Sequence, residues 1–276
     1  MTFKSILVHV DDTIASDQRV GVATGVAKAF DATVAGIHFV MPAIDAELAQ
    51  LPPREIAVRI SEEEMRERVE GALQAQCEKA GVRVDELRVV ERNAVDTAIA
   101  EMRCADLSVL AQGDLDRTNG RFERRLAEQS LLAVGGPIVF VPYAPAKTDV
   151  GERIVVAWDG GREAARALRD ALPLLGRAKR VTVLSFAPPA RLGQDISRSQ
   201  MRLAAYLRAY AIEADMRQMA CDAREGGELL LSQLADLNAD LLVMGGYGHA
   251  RVREIALGGV TRTILDSMTV PVLMSH

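Results

Sequence analysis

Short apolar runs alternate with amphipathic stretches along the whole chain. The clearest runs, each of a length typical of a buried strand, are residues 6–10, 153–158, 180–186 and 240–245. Residues 163–175 instead repeat apolar positions at helical spacing, and Gly176 marks a stop. This β-α-β-α order predicts an α/β fold with parallel strands, right-handed crossovers and helices on both faces of the sheet.

The remaining elements follow the same pattern. Further helices are predicted at 55–80, 199–216, 227–238 and 260–267. A weak strand at 216–220 and a final strand at 270–274 complete the second half. Val69, Leu73 and Cys77 form the apolar stripe of the long helix at 55–80.

The chain contains an internal repeat. Asp11 and Asp159 end similar apolar runs 148 residues apart, whereas Asp106 and Asp240 open similar runs 134 residues apart. Insertion of residues 42–53 in the first copy accounts for the change of offset. We therefore predict two tandem doubly wound domains, residues 1–144 and 150–276, joined by a proline-containing linker.

Composition excludes several classes of function. A net charge of −5 and an aromatic content of 4% give no general footprint for nucleic acid. No apolar run has the ~18–20 residues of a membrane helix, and no secretory signal is recognisable. Three widely spaced cysteines form neither a disulfide framework nor a zinc site. We expect a cytoplasmic protein that binds neither nucleic acid nor membrane.

Ligands of doubly wound folds lie beyond the carboxyl ends of the strands. In the second copy these ends carry Asp159, Phe186 and a glycine-rich segment at 245–261. The glycines Gly245, Gly248 and Gly258 are spaced as G-x2-G-x9-G. Glycine lets the backbone approach a ligand closely, which makes this segment the main candidate site.

The glycine-rich segment also carries groups that suit a phosphate. Gly258 and Gly259 open a helix whose N–H groups and dipole favour an anion. Thr261 offers a hydroxyl, and His249 and Arg251 lie within the loop. The alternative is that the glycines only shape a tight strand-to-helix connection, and spacing alone leaves both interpretations open.

The first copy departs from this pattern. Ala111 and Asp114 replace the first two glycines, and a carboxylate would repel phosphate. Ala127 and Glu128 stand near the position of the helix-opening pair. The adjacent Asp11 and Asp12 could hold a metal, but solvated or helix-capping carboxylates are commoner at a strand end, so no metal site is predicted.

These motifs together resemble the universal stress protein family in its tandem form, over nearly the whole chain. The resemblance rests on the strand ending at 159–160, the segment 240–251, the helix start at 258–265 and the final strand at 270–273. It implies a Rossmann-like fold of the adenine-nucleotide alpha hydrolase type and, in one branch of the family, ATP binding with Mg²⁺.

The resemblance also implies roles for individual residues. Asp159 would lie near the ribose or the metal, and Phe186 would border the adenine. The loop glycines, including Gly259, would surround the phosphates. The chain departs from the family pattern at Gly259, where ATP-binding members have Ser or Thr.

We therefore predict a stress-response protein that binds ATP in its C-terminal domain as a sensor or regulatory module. No base or nucleophile suggests catalysis, and no catalytic residue is assigned. A protein that binds another small ligand or a partner is the alternative. A hydrolase or ligase would need an early phosphate loop, for which the turn after Asp159 is too short.

The terminal strands at 137–141 and 271–274 suggest pairing of the two copies within one chain as a pseudo-dimer, with a homodimer left open.

Overall fold

Strands and helices alternate through both copies of the repeat. The computed structural model describes residues 2–40, 62–113, 119–144, 148–187, 195–221, 225–247 and 259–276. The first half contains β1 (Ser5–His9), α1 (Ile14–Phe30), β2 (Thr33–Phe39), α2 (Glu62–Ala80), β3 (Arg83–Val90), α3 (Ala94–Met102), β4 (Leu107–Ala111), α4 (Gly120–Ala133) and β5 (Ile138–Val141).

The second half repeats this order. It contains β6 (Arg153–Ala157), α5 (Arg162–Leu175), β7 (Arg180–Ala187), α6 (Asp195–Ala209), β8 (Ala214–Ala220), α7 (Gly226–Asp236), β9 (Leu241–Gly245), α8 (Gly259–Ser267) and β10 (Val272–Ser275). Among the helices described, none combines the length and apolar character that a membrane crossing requires.

The chain divides into two compact units. One comprises residues 2–136 and 143–148, and the other comprises residues 137–142 and 149–276. Strand order is β3-β2-β1-β4 in the first unit and β5-β10-β9-β6-β7-β8 in the second. The registered pairs are parallel except for β5 with β10. The predicted α/β class with parallel strands is therefore confirmed.

Buried apolar strands form the centre of each unit. Ile6 and Val8 of β1 are fully buried, as are Leu241 and Val243 of β9. Strands covered on both faces are expected to be continuously apolar, which explains why these segments were recognisable as runs. The predicted stripe of α2 is also buried, at Val69, Leu73 and Cys77.

An aspartate ties neighbouring strands together at equivalent places in both copies; Asp106 is exposed and Asp240 is buried. The Asp106 carboxylate accepts hydrogen bonds from the backbone N–H groups of Lys4 and Ser5. The Asp240 carboxylate accepts them from Gly151 and Arg153. Each aspartate thus joins the start of the first strand of its copy to the strand beside it, which supports the repeat that the sequence predicted.

One predicted helix was wrong at its end. The predicted helix at 199–216 ends at Ala209, and Ala211 has a left-handed backbone with φ of 58°. The chain then enters β8 at Ala214. The strand alternates between exposed and less exposed residues at the sheet edge, so its half-polar composition did not distinguish it from the helix.

Strand β5 belongs by sequence to the first copy but lies in the unit that contains the second. Its Val139 is opposite Leu273 of β10 in an antiparallel ladder. β10 therefore has β9 on one side and β5 on the other. The predicted insertion at 42–53 lies outside the described residues.

Candidate functional site

Three of the predicted site residues lie at the carboxyl ends of adjacent strands. β6 pairs with both β7 and β9, in parallel. Asp159 follows β6, Phe186 lies near the end of β7, and Gly245 ends β9. The fold therefore brings these ends to one edge of the second unit's sheet, where an α/β fold binds its ligands.

The Asp159 side chain is exposed at the turn between β6 and α5. Its Oδ1 accepts a hydrogen bond of 2.7 Å from the backbone N–H of Gly161. Gly160 has a left-handed backbone with φ of 77°, which allows the tight turn. The carboxylate thus stands at the start of a helix while remaining accessible to a polar ligand.

Gly245 has a packing role at the end of β9. A Cβ atom at this position would lie 2.5 Å from the backbone N of Ala164 and 2.5 Å from the carbonyl carbon of Glu163. The first turn of α5 therefore approaches β9 so closely that only glycine fits. This explains Gly245 without any phosphate, as the structural interpretation of the glycine loop predicts.

Gly259 and Thr261 lie in the first turn of α8 and differ in their surroundings. Gly259 is exposed, and a Cβ atom there would have none of the described residues within 4 Å. Thr261 is buried, and its Oγ1 accepts a hydrogen bond of 3.2 Å from the backbone N–H of Tyr247. The threonine hydroxyl thus holds the chain that leaves β9, while Gly259 at the start of α8 is exposed.

The remaining predicted ligands of the phosphate lie outside the described residues. They are Gly248, His249, Arg251 and Gly258. Their roles stay predictions.

The corresponding edge of the first copy contains a buried charged network that sequence reasoning missed. Arg19 of α1 is only 1% exposed. Its Nε donates 2.8 Å to the backbone carbonyl of His9, and its Nη2 lies 2.7 Å from Oδ2 of Asp11. Thr13 donates to the same carboxylate through its hydroxyl and its backbone N–H. The chain thus satisfies Asp11 with its own groups.

Burial and charge shift the pKa values of this network. Burial, followed by the Arg19 guanidinium, lowers the pKa of the His9 imidazole from 6.5 to about 3. Burial alone would raise the pKa of Asp11, but Arg19, with smaller contributions from His9 and Thr13, lowers it below its usual range. At neutral pH the network therefore consists of a neutral imidazole, a carboxylate and a guanidinium.

His9, Asp11 and Glu123 are the one group of potential metal ligands found among the described residues. Their ligand atoms lie within 4.8 Å of one another. A cation there would face the Arg19 guanidinium, which already neutralises Asp11 at 2.7 Å. A metal ion bound to the same carboxylate would be repelled by the guanidinium, and this repulsion is strong in a buried site. The arrangement therefore favours an internal ion pair over a metal.

Aromatic packing closes the same edge of the first copy. The ring of Phe39 lies 5.1 Å from that of His9 and 5.0 Å from that of Phe122. Strand registers place Phe39 at the position of Phe186, because Ser5 is paired with Thr33 and Arg153 with Arg180. Phe39 is 3% exposed, whereas Phe186 is only half-buried.

The helices after β4 and β9 show a further difference. α4 and α8 end at Ala133 and Ser267, the offset of 134 already seen in the strands. This register aligns Gly258 and Gly259 with Arg124 and Arg125, three residues before the predicted pair Ala127 and Glu128. Arg124 is nearly buried and pairs with Glu128 at 2.8 Å. A large side chain thus stands where the second copy has glycine.

The second half of the chain matches a known sequence family. Residues 151–276 match the model of the universal stress protein family. The second copy is a universal stress protein domain. The resemblance predicted from its glycine-rich segment is thereby confirmed. No curated protein matches the chain in sequence.

Solved structures extend the fold of this family to both copies. A universal stress protein from Archaeoglobus fulgidus covers 98% of this chain and 97% of its own, with a TM-score of 0.72 and 15% identity. A structure from Pseudomonas aeruginosa assigned to the same family covers 99% and 93%, with a TM-score of 0.64 and 15% identity. At this identity they show the fold alone, which is the predicted tandem form.

The same fold occurs outside universal stress proteins. The cytoplasmic domain of a prokaryotic cation chloride cotransporter covers 99% of this chain and 96% of its own, with a TM-score of 0.54 and 11% identity. Function must therefore be argued from the site of the universal stress protein domain.

A helical spacing could have revealed Arg19 from sequence. It stands between Ala15 and Ala23, four residues from each, and all three are buried on one face of α1. An arginine on an apolar face requires a buried acceptor, and Asp11 lies just before the helix. The corresponding position of the second copy is Ala167, 148 residues later, which is also buried and is uncharged.

Proposed function

We propose that the universal stress protein domain binds a nucleotide, with ATP as the predicted ligand, and acts as a stress-response sensor or regulatory module in the cytoplasm. The observation that carries this proposal is the exposure of side chains at the carboxyl ends of the strands in the second copy. There Asp159 is exposed and Phe186 half-buried, where the first copy has Arg19, His9 and packed aromatic rings. Adjacent strand ends and an exposed helix start are the usual setting for a nucleotide.

The described residues suit the parts of a nucleotide. The Asp159 carboxylate would take the ribose hydroxyls or Mg²⁺, since hard cations prefer oxygen ligands. The Phe186 ring would border the adenine. The open space at Gly259 would accommodate the phosphates against the first N–H groups of α8. Mg²⁺ would neutralise part of the phosphate charge.

Calorimetric titration with ATP and MgCl₂ tests the proposal directly. We expect saturable binding of one ATP per chain, and nucleotide released from the purified protein on denaturation. No heat at millimolar ATP, together with no released nucleotide, would contradict it.

A pair of reciprocal variants tests which copy binds. Gly248→Asp, which introduces the residue found at 114, should abolish binding because its carboxylate repels phosphate. Asp114→Gly is the matched change in the first copy and should create no second site, because Arg19 and the aromatic rings still occupy that edge. Retained binding in Gly248→Asp would show that the site lies elsewhere, and a second equivalent of ATP in Asp114→Gly would show that Arg19 and the aromatic rings do not block the first copy.

A second candidate is a protein that binds a non-nucleotide ligand or a partner. The packing of Gly245 against α5 and the use of Thr261 to hold Tyr247 favour it, since both residues then have structural roles. Heat with a partner or another ligand but none with ATP would favour this candidate.

We also propose that the two copies pair within one chain. The antiparallel ladder of β5 and β10 supports pairing through the terminal strands. Light scattering coupled to size-exclusion chromatography measures the molar mass in solution. We expect 29.9 kDa for the internally paired monomer, and twice that mass would indicate an additional homodimer.

A further inference from the structure

A groove runs between α5 and α6 of the second copy and begins at Trp158, next to the predicted nucleotide residue Asp159. Its volume is about 390 Å³, which lies at the small end of ligand-binding cavities. Leu168 of α5 and Leu203 of α6 form its apolar base, and both are nearly fully buried. The groove does not include Asp159, Phe186, Gly245 or the start of α8.

Three arginines surround this apolar base. Arg169 lies on α5, and Arg198 and Arg202 lie one turn apart on α6. Burial, followed by Tyr210, raises the pKa of Tyr206, and the nearby Arg169 guanidinium opposes this rise. Within the part of the chain that the structure describes, no carboxylate lines the groove and neither Arg198 nor Arg202 has an ion-pair partner.

Neighbouring arginines of the same unit behave differently. Arg166 pairs with Asp170 at 2.8 Å, and Arg217 pairs with Asp215 at 2.8 Å. The positive charge at the groove therefore differs from the charge balance around it. A guanidinium group matches a carboxylate in geometry as well as in charge.

Two aromatic side chains form the walls. The indole Nε1 of Trp158 donates 3.0 Å to Oγ of Ser199, which fixes the ring at one end of the groove. The ring of Tyr206 lies 5.2 Å from that of Tyr210 farther along α6. The groove thus offers apolar and aromatic surfaces to the apolar part of a ligand and guanidinium groups to its carboxylate.

The equivalent groove, between α1 and α2, is filled in the first copy. There α1 and α2 pack closely, whereas the described parts of α5 and α6 make little direct contact. Nε2 of Gln76 donates 2.6 Å to Oδ1 of Asp17 between these two helices. A Cβ atom at Gly21, the counterpart of Arg169, would lie 2.7 Å from Cγ2 of Thr148.

The left-handed residues Gly81 and Ala211 end α2 and α6 at equivalent places, 130 residues apart. This register aligns Ala72 with Arg202 and Gln76 with Tyr206. The first copy therefore lacks both the space and part of the charge, so the groove is specific to the second copy.

We propose that the groove between α5 and α6 binds a small amphipathic carboxylate, with its apolar body between Leu168, Leu203 and Trp158 and its carboxylate on Arg198 and Arg202. The groove shares no lining residue with the proposed nucleotide site, which it adjoins at Trp158, and the proposal does not rest on nucleotide binding. The domain would then respond to a second ligand in addition to the nucleotide.

Fluorescence of Trp158 reports on this site, because the chain has one tryptophan. The probe is octanoate, with octanol as its uncharged counterpart. We expect a saturable change in Trp158 fluorescence with octanoate and at least tenfold weaker binding of octanol. An equal response to both, or a response that rises linearly without saturation, would overturn the proposal.

Two sets of variants then test separately the arginine charges and the volume of the groove. Arg198→Gln with Arg202→Gln should weaken octanoate binding at least tenfold, whereas the matched change Arg166→Gln lies outside the groove and should leave it unchanged. Ala165→Phe should fill the groove and abolish the response, with circular dichroism checking that the fold is kept. Undiminished binding in the double variant or in a folded Ala165→Phe protein would overturn the proposal. ATP titration of the same variants should be unaffected, which separates this test from that of the nucleotide site.

Discussion

The two copies of the repeat differ at the carboxyl ends of their strands. In the first copy Arg19, His9 and Asp11 form an internal network beneath packed aromatic rings. In the second copy Ala167 and Ala157 stand at the positions of Arg19 and His9, and Asp159 is exposed. A doubly wound fold leaves this edge available for a ligand, and the first copy has filled it with its own side chains. The two copies thus differ at this place: the first fills it with its own charged and aromatic side chains, and the second has an exposed carboxylate there.

Removal of the buried arginine should have the largest effect on this comparison. Arg19→Met keeps much of the side-chain volume but leaves Asp11 buried without its partner. Breaking one side of a buried pair costs about 3–5 kcal/mol, so we expect a loss of this size in the free energy of unfolding measured with urea. Arg162→Met removes an exposed pair with Glu163 and should change stability by less than ~1 kcal/mol. Equal small losses would show that the network does not stabilise the first copy.

Acid should weaken the first copy through His9. The unfolded chain takes up a proton on this imidazole below about pH 6.5, while in the folded chain its pKa is lowered to about 3. The unfolded state therefore binds more protons in this window, and stability falls by up to ~1.4 kcal/mol per pH unit as the pH drops through it. Above pH 6.5 the effect is absent. Urea unfolding at several pH values should show a shallower slope for His9→Ala, which copies Ala157, and an unchanged slope would contradict the shift.

Glycine and alanine at the end of the strand before the loop should not be interchangeable. Gly245→Ala would bring a methyl group to 2.5 Å from the backbone of α5, and overpacking of this kind costs about 1–3 kcal/mol. Ala111→Gly at the equivalent position of the first copy should cost only about 0.5–1 kcal/mol, from added chain entropy. Thermal unfolding of both variants measures the difference. A harmless Gly245→Ala would mean that the glycine is retained for the loop and its ligand.

A restored hydroxyl should produce the smallest effect. Gly259→Ser introduces the residue type of the ATP-binding family members at a position with open space around it. One added hydrogen bond to phosphate is worth about 1 kcal/mol, which corresponds to roughly fivefold tighter ATP binding in calorimetry. Arg125→Ser, the aligned change in the first copy, should leave ATP affinity unchanged. An unaltered affinity in Gly259→Ser would place the phosphates away from the start of α8.

Much of the fold could be predicted because buried parallel strands are continuously apolar. β1, β6 and β9 were visible as runs, and the aspartates that open β4 and β9 revealed the repeat. β8 was obscured by its polar edge, where packing does not constrain residue type. The end of α6 depends on a left-handed alanine, a conformation that sequence rarely indicates.

The site was predictable in outline and not in its contacts. The spacing of Asp159, Phe186 and Gly245 was enough to place them at strand ends. The reason for Gly245 depends on how closely α5 approaches, and the burial of Thr261 depends on the turn after β9. Arg19 carries a charge, which composition alone assigns to the surface. Its burial required knowledge of where its carboxylate and carbonyl partners lie.

The ladder between β5 and β10 has a consequence for any attempt to divide this chain. A cut in the linker at 145–149 follows the sequence repeat but not the packing, because β5 stays with the N-terminal fragment. The C-terminal fragment would then present the unpaired edge of β10, while Phe140 and Val139, both buried in the intact chain, would be exposed on its counterpart. Unpaired apolar edges recruit other strands. Fragments made at the linker would therefore tend to re-associate or aggregate, and a cut near residue 136 would keep β5 with the unit in which it is paired.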